Sequence, residues 1–275
     1  MSRGNRGIDA PKERERTGIT HYLFAADFDQ TLSFNDSGAV LTELIGASGF
    51  EEKVAGLAQT HLVHPGAELA YLLRHDPEFR MVRREHLVET GRRVRLKHDI
   101  PKLMTFLSQG LEGYRFSFYV ISASPREVIQ SALEGIVPAD HICGTEFDYD
   151  GQTGEIRSVV HVPAGYGKVA VLETIKHRLC IASDRTIYVG DGRSDIHVML
   201  DVNNRDGFTI SVSENEHLAQ IAKRTVLSSN AFSVVLPMLE QVFGWRSSEI
   251  RTLFQSYDLP LQEWERIRTD SITIG

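Results

Sequence analysis

The chain has 275 residues, of which 24% are charged and 41% hydrophobic, a composition typical of a globular protein with a sizeable core. Its formal net charge of −7 argues against nucleic-acid binding, and no apolar run approaches the ~20 residues of a membrane helix. Residues 1–20 are basic and lack the apolar stretch of a signal peptide, so we expect a disordered or loosely attached tail. Cys143 and Cys180 are far apart and predict buried thiols in a reducing cytoplasm.

A short apolar run at residues 22–24 leads into two carboxylates, Asp27 and Asp29, and then Thr31. This pattern is typical of a buried parallel strand that ends at a ligand site. Side chains two positions apart on an extended backbone point the same way, so the carboxylates would repel unless a cation lay between them. The alternative interpretation is a strand followed by an Asp-rich turn.

After Thr31 the hydrophobic spacing becomes helical. Apolar residues recur at positions 40, 41, 44 and 45, and Gly46 is a plausible helix stop. Further helices are predicted at about 51–61, 66–73 and 81–97. No strand pattern occurs between Ser33 and Tyr114. The sequence therefore predicts an all-helical insertion directly after the first strand.

From Ile100 onward, strand and helix patterns alternate. Helices are predicted at about 101–110, 125–133, 165–179, 196–200, 216–223 and 231–243, strands at 116–121, 185–189 and 208–212, and a β-hairpin between 147 and 159. Ser124 and Glu127 predict a capping box for the helix that starts near Pro125. The alternation predicts an α/β fold with a doubly wound parallel sheet, followed by a helical appendage over residues 244–275.

Four motifs carry a family resemblance. In chain order they are Asp27-x-Asp29-x-Thr31, Ser122 at the end of an apolar strand, Lys168 after Gly165-Tyr166-Gly167, and Gly190-Asp191-Gly192-x-x-Asp195. Together they resemble the haloacid dehalogenase (HAD) superfamily of phosphohydrolases, specifically its phosphoserine-phosphatase-like branch. The resemblance implies a HAD Rossmann-like core domain of residues 21–33 and 100–243, with an α-helical cap domain of residues 34–99.

The resemblance also implies phosphoryl transfer through an aspartyl-phosphate. Asp27 is the candidate nucleophile, and Asp29 is expected to protonate the leaving oxygen and then deprotonate the attacking water. A halide leaves without a proton, so Asp29 favours phosphatase or phosphomutase chemistry over dehalogenation. Ser122 and the backbone amide of Ala123 are expected to bind phosphate, with Lys168 supplying a positive charge.

A metal site is implied at the same place. Asp27, Asp191 and the backbone carbonyl of Asp29 are expected to hold Mg²⁺, which takes few protein ligands and keeps waters and phosphate oxygens. Thr31 and Asp195 are predicted to hold these groups in position by contacts on the side away from the substrate. Asp195 has two possible roles, binding a metal-bound water or holding the lysine, and the second is favoured.

Three charged residues of the insertion are candidates for substrate specificity. Asp36 stands nine residues after the nucleophile, where serine-phosphate enzymes carry a glutamate that binds the substrate ammonium. Its alternative role is to cap the first helix of the insertion. Arg92 or Arg93 could pair with a substrate carboxylate, or belong to a solvated helix face.

The sequence thus predicts a cytoplasmic, Mg²⁺-dependent phosphatase that hydrolyses a small polar phosphate monoester. Its partner is expected to be that small molecule, and neither a membrane nor nucleic acid. Two alternatives stay open: a phosphotransferase or phosphomutase of the same superfamily, and a binding module that has lost turnover.

Overall fold

The computed structural model describes residues 18–60, 63–259 and 268–270. Most of the predicted N-terminal tail and parts of the predicted C-terminal appendage lie outside these residues. The strands are Thr20–Ala26 (β1), Tyr114–Pro125 (β2), Ile142–Tyr149 (β3), Ile156–His161 (β4), Thr186–Gly190 (β5), Phe208–Ser211 (β6), Arg224–Leu227 (β7) and Arg268–Asp270 (β8). The α-helices are Ser37–Ile45 (α1), Phe50–Thr60 (α2), Glu68–His75 (α3), Arg84–Arg93 (α4), Ile100–Gln109 (α5), Arg126–Ala132 (α6), Tyr166–Leu179 (α7), Ile196–Asn204 (α8), Glu216–Ile221 (α9), Val235–Gln241 (α10) and Ser247–Ser256 (α11).

The described strands form one sheet in the order β4-β3-β2-β1-β5-β6-β7-β8. The six inner strands in this order, which are β3, β2, β1, β5, β6 and β7, pair in parallel. The two edge strands, β4 and β8, pair antiparallel to their neighbours. From β1 the chain first adds strands on one side and then on the other. The predicted α/β fold with a doubly wound parallel sheet is therefore confirmed.

Helices cover both faces of the sheet. Side chains alternate along each strand, so each strand contributes apolar residues to both faces. Phe24 and Ala26 of β1 pack into one buried cluster, which also holds apolar residues of α5, α6, α10 and α11. Leu23 and Ala25 pack into a second cluster with α7, α8 and α9. No α-helix in the described parts of the chain has the length and hydropathy that crossing a bilayer requires.

The inserted segment (residues 34–99) leaves and rejoins the sheet region at adjacent points. The amide of Phe34 donates to the carbonyl of Arg95, and the amide of Lys97 donates to the carbonyl of Leu32, both at 2.8 Å. Four helices, α1 to α4, lie between these points, and Gly46 ends α1 in the left-handed conformation as predicted. The division into core and cap domains stays a prediction.

The structure corrects several local predictions. The helix predicted at 81–97 covers only Arg84–Arg93, and two strands that were not predicted, β7 and β8, follow Phe208–Ser211. The appendage contains a strand as well as helix α11. Cys143 is half-buried but Cys180 is exposed, so the prediction of two buried thiols is wrong for Cys180.

Candidate active site

The carboxyl ends of three adjacent parallel strands bring the predicted site residues together. Asp27 follows β1, Asp191 follows β5, and Ser122 lies near the end of β2. The amide of Asp27 donates to the carbonyl of Val189 on β5 at 2.9 Å, which fixes the backbone as it leaves the sheet. The winding direction reverses at β1, and open α/β sheets bind ligands at such a switch point.

Lys168 is fully buried beside the candidate nucleophile. It is the third residue of α7, and its Nζ lies 2.6 Å from Asp27 Oδ2 and 2.6 Å from Asp195 Oδ1. Burial alone would lower the pKa of Lys168, but the carboxylates of Asp195 and Asp27 raise it above its ordinary value. The lysine is therefore a fixed positive charge in contact with Asp27.

Asp195 is occupied on both oxygens. Its Oδ1 accepts from Lys168 and, at 2.7 Å, from the hydroxyl of Tyr188, while Oδ2 accepts from the amides of Asp191 and Gly192 at 3.1 Å each. These contacts favour the predicted role of holding the lysine over that of binding a metal-bound water. Tyr188 was not predicted, because a tyrosine within an apolar strand looks like an ordinary core residue.

The residues present fit a divalent cation. One carboxylate oxygen from each of Asp27, Asp191 and Asp195 lies within 4.8 Å of the others, and Thr31 Oγ1 donates to Asp191 Oδ1 at 2.9 Å. Burial, then the neighbouring Asp27 and Asp195, raise the pKa of Asp191 well above its ordinary value. Burial also raises the pKa of Asp27 to about 6, although Lys168 opposes this shift. A cation between Asp27 and Asp191 would relieve this repulsion.

Asp29 is bound by two serines, Ser37 and Ser124, that no sequence motif marked as site residues. The amide and hydroxyl of Ser37 donate to Asp29 Oδ1 at 3.0 and 2.6 Å, and the hydroxyl of Ser124 donates to Oδ2. The predicted capping box is therefore wrong: helix α6 begins after Pro125 without a side-chain cap. Ser124 binds the carboxyl group instead.

The environment of Asp29 suits a proton donor. Burial and the nearby Asp36 raise the pKa of Asp29 to about 8, although the hydrogen bonds from Ser124 and Ser37 oppose the shift. A raised pKa favours the protonated form of this carboxyl group near neutral pH. Asp29 therefore has the environment that a general acid two residues after the candidate nucleophile would need.

A cavity of about 160 Å³ opens directly above these groups. Its walls include Asp27, Asp29, Ser122, Ala123 and Asp191 from the sheet region, together with residues of the inserted segment. The predicted phosphate-binding and metal-binding residues therefore line one cavity, apart from Lys168, which is buried behind Asp27 together with Asp195.

The three candidate specificity residues are placed differently. Asp36 lines the cavity, and its Oδ1 also accepts from the amides of Gly38 and Ala39, so it caps helix α1. Arg92 and Arg93 pair with Glu89 on the exposed face of α4, and neither is among the described residues that line the cavity. Their placement favours the alternative of a solvated helix face.

A family profile and solved structures agree with this arrangement. The chain matches the profile of the haloacid dehalogenase-like hydrolases over residues 24–200, which is more than half of its length. The chain therefore belongs to this family, and the family prediction is confirmed. No curated protein matches it.

Structures of phosphoserine phosphatases share the fold. A phospho-aspartyl intermediate analogue of phosphoserine phosphatase aligns with a TM-score of 0.62 at 18% identity, over 79% of this chain and 98% of its own. A phosphoserine phosphohydrolase-like protein from Francisella tularensis aligns with a TM-score of 0.60 at 17% identity, over 78% and 98%. A probable phosphoserine phosphatase from Vibrio cholerae aligns with a TM-score of 0.54 at 17% identity, over 76% and 61%. The predicted phosphoserine-phosphatase-like fold is confirmed.

Proposed function

We propose that the protein is a Mg²⁺-dependent phosphatase that hydrolyses a small phosphate monoester through an aspartyl-phosphate intermediate. The observation that carries this proposal is the contact of the Lys168 ammonium with Asp27 Oδ2 at 2.6 Å, with a carboxylate oxygen of Asp191 within 4.8 Å of Asp27. The positive charge of Lys168 offsets that of Asp27, so this buried carboxylate can approach a phosphate dianion without prohibitive repulsion. Membership of a hydrolase family supports the reaction class.

The chemistry divides between two carboxyl groups. Asp27 donates an electron pair to phosphorus, and the bond from phosphorus to the ester oxygen breaks as Asp29 gives that oxygen its proton. In the second step Asp29 takes a proton from water, the water oxygen bonds to phosphorus, and the bond to Asp27 breaks. Inorganic phosphate leaves, and both carboxyl groups return to their starting states.

The remaining groups bind and orient the phosphate. The hydroxyl of Ser122 and the backbone amide of Ala123 would donate to phosphate oxygens, while Lys168 offsets charge beside Asp27. Asp27, Asp191 and the backbone carbonyl of Asp29 would hold Mg²⁺, which would neutralise charge on the transferring phosphoryl group.

The inserted segment (residues 34–99) acts in this proposal as a lid over the core of residues 21–33 and 100–243. Its residues close the cavity from above, which would exclude water while the substrate reacts. A cavity of about 160 Å³ favours a small molecule over nucleic acid as substrate. Cytoplasmic location is part of the proposal and is supported by two cysteines that form no disulfide.

Asp27→Asn tests the mechanism. Asparagine is a poor nucleophile, so we expect hydrolysis of p-nitrophenyl phosphate with Mg²⁺ to fall by about 10³-fold or more. Asp184→Asn, an exposed substitution outside the cavity, should keep normal activity. Activity of Asp27→Asn near that of the unmodified protein would rule the mechanism out, and transfer of phosphate to an added alcohol would identify a phosphotransferase instead.

A further inference from the structure

The cavity above Asp27 continues into a larger one of about 520 Å³. Five residues, Asp36, Phe50, Val54, Gly66 and Glu68, are among those that line both. The larger space lies between helices α1 and α2 and the loop that precedes α3. A phosphate bound at Asp27 would therefore direct its ester group toward this space.

The walls of the larger cavity are mainly apolar. Phe50, Val54, Ala58, Val63 and Pro65 contribute to them. The ring of Phe50 packs against Gly38 of α1 so closely that a Cβ atom there would overlap it. Apolar walls of this kind suit an aliphatic or aromatic chain better than a compact polar group.

The charges at the larger cavity are predominantly negative. Asp36, Glu51 and Glu68 line it, and Arg193 is the one basic residue among the described residues of its wall. Arg193 is exposed. These charges disfavour a substrate with a carboxylate in this space, and they favour a positively charged group.

The volume indicates how large the ester group is. Cavities that hold small molecules span ~300–1,000 Å³, and a space of about 520 Å³ lies within that range before the reaction cavity is added. The three-carbon skeleton of serine would leave most of it unfilled, and unfilled space forgoes contacts that a longer chain would make.

We propose that the substrate is a phosphate monoester whose alcohol part is extended, apolar along its length and positively charged at its far end. This inference rests on the proposed phosphatase function and adds a substrate class to it. The phosphate lies at Asp27, the apolar chain follows the Phe50 and Val54 wall, and the cation lies near Glu51, which lines the larger cavity but not the cavity at Asp27.

A matched substrate series tests the inference on the unmodified protein. We expect kcat/KM for 6-aminohexyl phosphate to exceed that for 2-aminoethyl phosphate and O-phosphoserine by about tenfold or more, because the added methylenes enter an apolar space. It should likewise exceed that for 5-carboxypentyl phosphate by about tenfold or more, since the carboxylate faces like charges. Equal or greater kcat/KM for either short substrate, or for the carboxylate, would overturn the inference.

Two variants locate the effect. Ala58 lines the larger cavity but not the cavity at Asp27, so Ala58→Trp should remove the preference for the long amine while sparing 2-aminoethyl phosphate. Gln59→Trp, on the exposed part of the same helix, should not remove that preference. Glu51→Gln should lower the ratio of kcat/KM for the long amine to that for hexyl phosphate. Turnover of p-nitrophenyl phosphate serves as the reference: if it is absent with Mg²⁺, the phosphatase proposal itself fails, and if it is present without the chain-length preference, only this inference fails.

Discussion

Asp29 receives hydrogen bonds from two directions, from Ser37 at the start of α1 and from Ser124 at the end of β2. One serine belongs to the inserted segment and the other to the sheet. The carboxyl group is thereby fixed between the two parts of the molecule. Its orientation toward the cavity depends on both, so each serine is a positioning residue in the proposed mechanism.

Ser124→Ala should impair substrates that need a proton for the leaving group. We expect kcat/KM for an alkyl phosphate to fall by roughly tenfold, the equivalent of one hydrogen bond of ~1.5 kcal/mol. The loss for 2,4-dinitrophenyl phosphate should be smaller, because its oxygen leaves without protonation. Ser124→Thr keeps the hydroxyl and should restore the alkyl substrate. Equal losses for both substrates would show that Ser124 has no role in proton donation.

The raised pKa of Asp29 predicts a pH-dependent stability. In the folded protein the pKa of Asp29 is about 8, above its value of 3.8 in the unfolded chain. The contribution of Asp29 to the free energy of unfolding is therefore fully present below pH 3.8 and is lost as the pH rises through about 8. Asp29→Asn does not titrate, so its melting temperature relative to the unmodified protein should rise between pH 4 and 8 in metal-free buffer. A difference of 1 kcal/mol corresponds to roughly 2–4 °C in a chain of this size. A relative melting temperature that stays constant or falls would contradict the assigned pKa.

At the residue scale, the sequence predicted the candidate reacting groups and two of their supports, Thr31 and Asp195, but not the serines that bind Asp29. Apolar strands precede Asp27, Asp29 and Asp191, and this pattern can be recognised from the amino-acid sequence alone. Ser124 was assigned to a helix cap because a serine before proline usually has that role. Its contact with Asp29 joins residues 95 positions apart, which no local pattern encodes.

At the scale of elements, the loop before α3 packs tightly against the loops that follow the strand ends. Gly66 has a φ of +94°, and a Cβ atom there would lie 2.9 Å from Ser194 Cβ and 3.4 Å from Ala123 Cβ. Only glycine combines this backbone conformation with so close an approach. The loop therefore seals the cavity beside the proposed phosphate-binding residues.

Gly66→Ala should prevent the loop from closing fully. The added methyl group needs space that Ser194 and Ala123 occupy, and the positive φ costs a further ~1–2 kcal/mol. We expect kcat/KM for a small phosphate monoester to fall by about tenfold or more. Gly56→Ala is the matched control: it lies in α2 with open space around it and should leave activity unchanged. Unchanged activity in Gly66→Ala would mean that this contact is unimportant for turnover.

The predicted boundaries of helices and strands were accurate where the local sequence pattern was strong. Helices with clear stop signals were placed well, as at Gly46 and Gly110. Strand β7 was missed because it has only four residues and follows a predicted helix directly. Its partner β8 is distant in sequence, so the pairing that stabilises both strands comes from tertiary structure.

At the scale of the whole molecule, helix α11 completes the core on one face of the sheet. Ile250 and Phe254 are 2% and 3% exposed, and the ring of Phe254 packs edge-on against that of Phe232 with centroids 5.1 Å apart. Helix α11, Ser247–Ser256, is therefore part of the folded unit. Its role could not be inferred from the sequence, because its apolar residues are separated by charged ones.

Phe254→Ala should destabilise the whole protein. Removing a buried phenylalanine typically costs ~3–5 kcal/mol through lost burial and the cavity left behind. Denaturant unfolding should report this loss, whereas Arg251→Ala on the exposed side of the same helix should change stability by less than about 0.5 kcal/mol. A small effect of Phe254→Ala would indicate that α11 is not required for the stability of the sheet.

The two backbone hydrogen bonds that join Phe34 to Arg95 and Leu32 to Lys97 have a consequence for divergence among related enzymes. A polypeptide whose entry and exit points touch can be lengthened, shortened or exchanged for another without moving the strand ends, provided that Ser37 is kept to bind Asp29. Transplanting residues 38–94 from this chain onto the core of a distant relative that carries an equivalent serine is thus geometrically permitted. Such chimaeras would inherit chemistry from the recipient and selectivity from the donor.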